Sequence, residues 1–129
     1  MMKPCLTILV FALLLVFASR AVADEGSPAD AAPRLFAVEI RVGPNWDTAK
    51  APGEQAFFKE HSANLKRLRD DGHIVMGARY SDIGLIVIAA SSDDAVRSMM
   101  QKDPSIAAGT FVFEVHEFRV FYPGFVEAR

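Results

Sequence analysis

The chain has 129 residues, with 14 lysines and arginines against 16 aspartates and glutamates, one cysteine and 51% hydrophobic residues. A formal net charge of −2 lacks the basic excess that nucleic-acid binding requires, so nucleic acid is excluded as a partner. The hydrophobic excess is concentrated at the start, where Leu6 to Phe17 reads LTILVFALLLVF between Lys3 and the triplet Ala21-Val22-Ala23.

A basic start, an apolar run of about a dozen residues and an A-x-A site form the layout of a secretory signal peptide. The run is shorter than the roughly 20 residues of a spanning helix. Residues 1–23 are therefore expected to be removed after Ala23, leaving a periplasmic or secreted chain with no further membrane attachment. That chain holds 48 hydrophobic residues in 106, an ordinary share, and a net charge of −4. Cys5 leaves with the signal, so disulfides, thiolate nucleophiles and Cys-ligated metals are excluded from the mature chain.

Residues 24–34 are acidic, small and Pro-containing and read as a disordered leader. A single domain is expected over residues 35–122, with 123–129 as a tail. Leu35 to Val42 (LFAVEIRV) reads as a strand. A loop punctuated by Gly43, Pro44, Pro52 and Gly53 carries Trp46, the one tryptophan. From Glu54 the spacing turns helical, with Phe58, His61, Leu65 and Leu68 on one stripe and Gly72 as the stop. Ile74 to Tyr80 and Ile83 to Ala90 form a hairpin across Ser81-Asp82. Ser91 or Ser92 caps a second helix that begins with Asp93 and Asp94, buries Val96, Met99 and Met100, and ends before Pro104. Phe111 to Phe121 is the last strand. Its apolar set shifts phase between Val115 and Phe118, which predicts a bulge or a change of environment.

This order predicts an α+β fold, a ferredoxin-like βαββαβ with an antiparallel sheet and both helices on one face. Ile83 to Ala90 (IGLIVIAA) is apolar in both alternating sets. Helices cover only one face, so a second copy is expected to cover the other, giving a homodimer with two sheets face to face.

The segment HSANLKRLRDDGHIVMGARYSD, the apolar strand after it, QKDPSIAAGTF and the final EVHEFRVF together resemble the YCII-related domain family of the dimeric α+β barrel superfamily. The resemblance covers most of Leu35 to Tyr122. It implies a dimeric α+β barrel. One relative acts as a dehydrochlorinase on a chlorinated hydroxyquinol through a proposed His-Asp pair, which carries over onto His61 and Asp103.

His61 interrupts the apolar helical stripe where a leucine would pack better, and a buried ring there needs a partner. As a general base it would be oriented by a carboxylate; as a core histidine it would bond to a loop. Asp103 precedes Pro104 and serves either as that carboxylate or as a turn-forming acid. Tyr80, Ser81 and Asp82 at the hairpin turn, with Arg79 before them, are candidate substrate contacts at a pocket mouth. Trp46 is a candidate lid or an edge plug. No HxH or HxxxH pair and no phosphate loop is present, so neither a metal nor a cofactor is expected. Two readings follow. The first is a small cofactor-independent enzyme for proton abstraction or elimination on a small hydroxylated or aromatic compound. The second is a non-catalytic periplasmic homodimer that binds a small ligand or is purely structural.

Overall fold

A computed structural model describes residues 33–125. The expected signal segment and most of the expected leader lie outside the described residues. In chain order the elements are β1 (Arg34–Val42), α1 (Phe58–Asp70), β2 (Ile74–Tyr80), β3 (Ile83–Ala90), α2 (Asp93–Gln101), α3 (Pro104–Ala107) and β4 (Phe111–Glu117), with a 3-10 turn at Pro52–Glu54. The strands form one antiparallel sheet in the order β2-β3-β1-β4. This is the ferredoxin-like arrangement. No helix among the described residues is long and apolar enough to cross a membrane.

Alternation decides which residues enter the core. Phe36, Val38 and Ile40 of β1 face the helices in register with Ile88, Ile86 and Gly84 of β3. On the other side of β1, Val115 pairs with Val38 and Phe113 with Ile40. Val96 and Met100 of α2 are fully buried against this surface, and Phe58 and Leu65 of α1 pack on it. Ser92 caps α2 by accepting from Ala95 N–H, and Asp93 and Asp94 sit in the first turn, where the helix dipole favours them.

Three findings refine the sequence expectations. Helix α1 begins at Phe58, after the 3-10 turn, because Phe57 takes a left-handed conformation with φ of 59°. The stretch after Pro104 contains a short helix, α3, capped by Asp103. The last strand ends at Glu117, so the phase shift toward Phe118 falls at its exit and needs no bulge there. A bulge does occur, in β2 between Ile74 and Met76. It places Gly77 and Arg79 on the helix-covered face and Met76, Ala78 and Tyr80 on the other.

The loop after β1 is held on both sides. Gly43 N–H donates to Thr110 O at 2.8 Å and Asn45 N–H to Gly109 O at 2.9 Å. Gln55, buried, accepts from Asp47 N–H at 2.9 Å and donates to Asp47 O at 2.7 Å. A Cβ on Gly43 would lie 2.2 Å from Gly109 O, a backbone atom with no freedom to withdraw. Gly43→Ala is therefore expected to destabilise the domain by about 1–3 kcal/mol through overpacking, read as a lower midpoint in denaturant unfolding.

Candidate functional site

The site is assembled where α1 crosses the short helix α3. The stripe of α1 turns His61 inward, and Asp103 at the N-cap of α3 meets it: His61 Nδ1 lies 2.7 Å from Asp103 Oδ2. Both are buried, Asp103 completely. A carboxylate only accepts, so the ring donates through Nδ1–H and its tautomer is fixed. The imidazole also stacks obliquely on Phe111, with ring centroids 4.5 Å apart.

The rest of the Asp103 carboxylate is fully engaged. Oδ1 accepts from Ser105 N–H at 3.0 Å and from Ser105 Oγ–H at 2.7 Å, while Asn64 Nδ2 approaches Oδ2 at 3.4 Å. Burial pushes the Asp103 carboxyl up, but the hydrogen bonds from His61 and Ser105 outweigh it and hold the group below its ordinary value. Ser105 Oγ lies 3.3 Å from Nδ1, on the same side of the ring as Asp103, and Ser105 is fully buried. It is placed to brace the carboxylate, not to attack a substrate through a base at Nε2.

Among the described residues His61 Nε2 has no protein partner, and no buried side-chain nitrogen or oxygen is left unsatisfied. That atom is therefore open to the cavity that His61 lines, a space of about 430 Å³ between α1 and the sheet. Its walls are apolar, with Trp46, Phe58, Leu65, Phe111 and Ile86, and its mouth carries Arg79 and Asp82. Trp46 stacks on Phe111 at 5.5 Å between centroids. The space exists because Gly77 and Gly84 stand on the helix face of β2 and β3 with no side chain. A Cβ at Gly77 would meet nothing within 4 Å.

The structure thus brings together His61, Asp103, Trp46 and Asp82, the last two lining the cavity. Tyr80 differs from the expectation: the β2 bulge turns it to the opposite sheet face, where its hydroxyl donates to Glu39. Ser81 sits in the turn with φ of 50° and does not line the cavity. Ser105 and Asn64 were missed. The Asp-Pro-Ser run could have signalled a capping aspartate with a local hydroxyl partner, whereas Asn64 reaches Asp103 only through the crossing of two helices.

Among the described residues, Glu39, Glu114 and His116 place ligand atoms within 4.8 Å of one another. They lie on the sheet face away from the cavity. Arg41 already pairs with both carboxylates, and Tyr80 donates to Glu39. Arg41 offsets one of the two carboxylate charges and occupies an oxygen of each, so this donor set does not fit a resident cation.

Asp103 supplies a pH test of the pair. Its folded-state pKa is depressed, so the stability it contributes is present above the unfolded carboxylate pKa and lost as pH falls through the folded value. Asp103→Asn is expected to be less stable than the parent at pH 7. The gap should begin to narrow below about pH 4 and close only below the folded-state pKa, as measured by urea unfolding across a pH series.

Residues 36–119 match the family model of the YCII-related domain. No curated protein matches the chain.

Proposed function

The chain belongs to the YCII-related domain family, and on that premise we propose that it is an exported, cofactor-independent enzyme that removes a proton from a small hydroxylated or aromatic compound. The observation that carries this reading is the His61–Asp103 pair, buried at 2.7 Å, with Nε2 open to an apolar cavity. Structural histidines do not need an unpartnered nitrogen facing a space large enough for a one-ring compound.

In the proposed step Nε2 takes a proton from carbon. The C–H electron pair forms a C=C bond, and a leaving group on the adjacent carbon departs with its own pair. Where no leaving group is present, the imidazolium returns the proton at another carbon and the reaction is an isomerisation. Asp103 balances the imidazolium and holds the ring in place, a contribution of about 10²–10⁴-fold for a positioned base in general. The apolar, aromatic walls lower the local dielectric and strengthen that electrostatic balance.

Export is proposed from the basic, apolar and A-x-A layout of residues 1–23. A homodimer is proposed from the sheet face that the helices leave uncovered, where Leu35, Ala37, Leu85 and Ala89 present apolar side chains and Met76 is 40% exposed. A second copy is the self-complementary cover for such a surface.

Proton abstraction is read by incubating the protein in deuterated water with a panel of small hydroxylated ring compounds and following loss of C–H signals by NMR. The wild-type chain should exchange or eliminate at least one of them, and His61→Gln should lose this activity by about 10²-fold or more. Asp103→Asn should lower kcat with little change in KM. Absence of exchange across the panel, or exchange that survives in His61→Gln, removes the enzyme reading. For assembly, light scattering on the mature chain at micromolar concentration is expected to give twice the monomer mass; a folded monomer would refute the dimer.

A further inference from the structure

Proton transfer at His61 leaves two charged groups of the cavity, Arg79 and Asp82, without a task. Arg79 lines it from the helix face of β2, paired across the ladder with Gly84. Arg34, Arg41, Arg67, Arg69, Arg97 and Arg119 each have a carboxylate within ion-pair distance. Arg79 is the one arginine among the described residues that has none, although Asp82 lines the same cavity. An exposed guanidinium that lines an apolar cavity without a counter-charge among the described residues is available to receive an anion.

The rest of the cavity limits which anion. Trp46 and Phe58 both pack on Phe111, at 5.5 and 6.3 Å between centroids, and so form a wall of aromatic faces. Such a wall favours a planar ring in offset or tilted contact. One planar guanidinium fork matches a carboxylate through two parallel hydrogen bonds. A phosphate dianion is disfavoured, because Arg41, the other arginine that lines the cavity, is already paired with Glu39 and Glu114, and Asp82 opposes a second negative charge. Gly77, where a Cβ would meet nothing within 4 Å, leaves room for the ring on the floor of the cavity, and Gly84 beside it adds no side chain.

We propose that the cavity takes a compound with one planar ring bearing a carboxylate, the ring against Trp46, Phe58 and Phe111 and the carboxylate on Arg79. This names the substrate class for the reading of His61 as a cavity base and rests on it. Arg79 then sets specificity, and Asp82 accepts from a ring hydroxyl. The β2 bulge is what aims the arginine here, since unbroken alternation from Ile74 would send it to the opposite face.

Trp46, the one tryptophan of the chain, reports occupancy by fluorescence, and calorimetry gives the affinity. The probes are 4-hydroxybenzoate and its neutral isostere 4-hydroxybenzamide, titrated into the full mature chain near neutral pH. The wild-type chain should bind the acid about tenfold more tightly than the amide, the worth of one exposed charge-assisted contact. Arg79→Gln should abolish that preference and Arg79→Lys should retain part of it. Gly77→Val, which adds volume where the chain has room, should weaken both probes without loss of fold as read by circular dichroism. Equal affinity for acid and amide, no binding of either, or a preference intact in Arg79→Gln each overturns the proposal.

An acid preference that depends on Arg79, together with no isotope exchange in any variant, upholds the anion site and sinks the proton-transfer reading. Exchange on neutral compounds with no acid preference does the reverse.

Discussion

The site depends on one constraint, that a carboxylate removed completely from water must have its lone pairs satisfied by the protein. Asp103 meets it with the ring N–H of His61 and both donors of Ser105, with Asn64 at longer range. Each donor has a structural consequence. The Ser105 bonds are the N-terminal cap of α3, and the His61 and Asn64 contacts tie α1 to it. The hydrogen bond that fixes the imidazole tautomer therefore also sets how two helices meet. Removing one partner of such a buried pair costs about 3–5 kcal/mol, because the other is left charged or unpaired in a medium that does not solvate it. Stability and the orientation of the imidazole are joined in the same two side chains.

The cavity is a product of missing atoms. On the helix face of the sheet, Phe36, Val38, Ile86 and Ile88 fill the space under α2, while Gly77 and Gly84 leave it empty under the first half of α1. The aromatic wall on the other side is fixed by the loop after β1, which Gly43, Asn45 and Gln55 pin to the neighbouring backbone. A rigid wall, an empty floor and a positioned imidazole are the ingredients of a binding site. Here they come from four different segments of the chain.

The two faces of the sheet have divided roles. The helix-covered face carries the core, the cavity and Arg79. The opposite face is apolar at one end, with Leu35, Ala37 and Val87, and carries the network of Glu39, Arg41, Tyr80 and Glu114 at the other. In that network the Tyr80 hydroxyl, with help from Arg41, holds the Glu39 carboxyl below its ordinary value. A face with apolar surface beside complementary charges suits a symmetric partner, and the cavity lies between α1 and the helix-covered face.

Hydrophobic periodicity by itself determined the order of the four strands and the two longer helices, and with it the fold class, because period 2 and period 3.6 leave different marks and the caps at Ser92 and Gly72 bound those helices. It also singled out His61, since a polar ring on an apolar stripe is a local anomaly. The mate of that ring, Asp103, was legible as a candidate through the family pattern. Ser105 and Asn64 were not, because their role depends on a helix crossing that no local pattern encodes. The placement of Tyr80 and Arg79 was decided by tertiary structure alone. A single extra residue in β2 reverses the alternation after Ile74, and a bulge arises from pairing with β3, not from the composition of β2. One inserted residue exchanged a tyrosine for an arginine at the cavity mouth, which is why the sequence read the strand correctly and its chemistry on the wrong face.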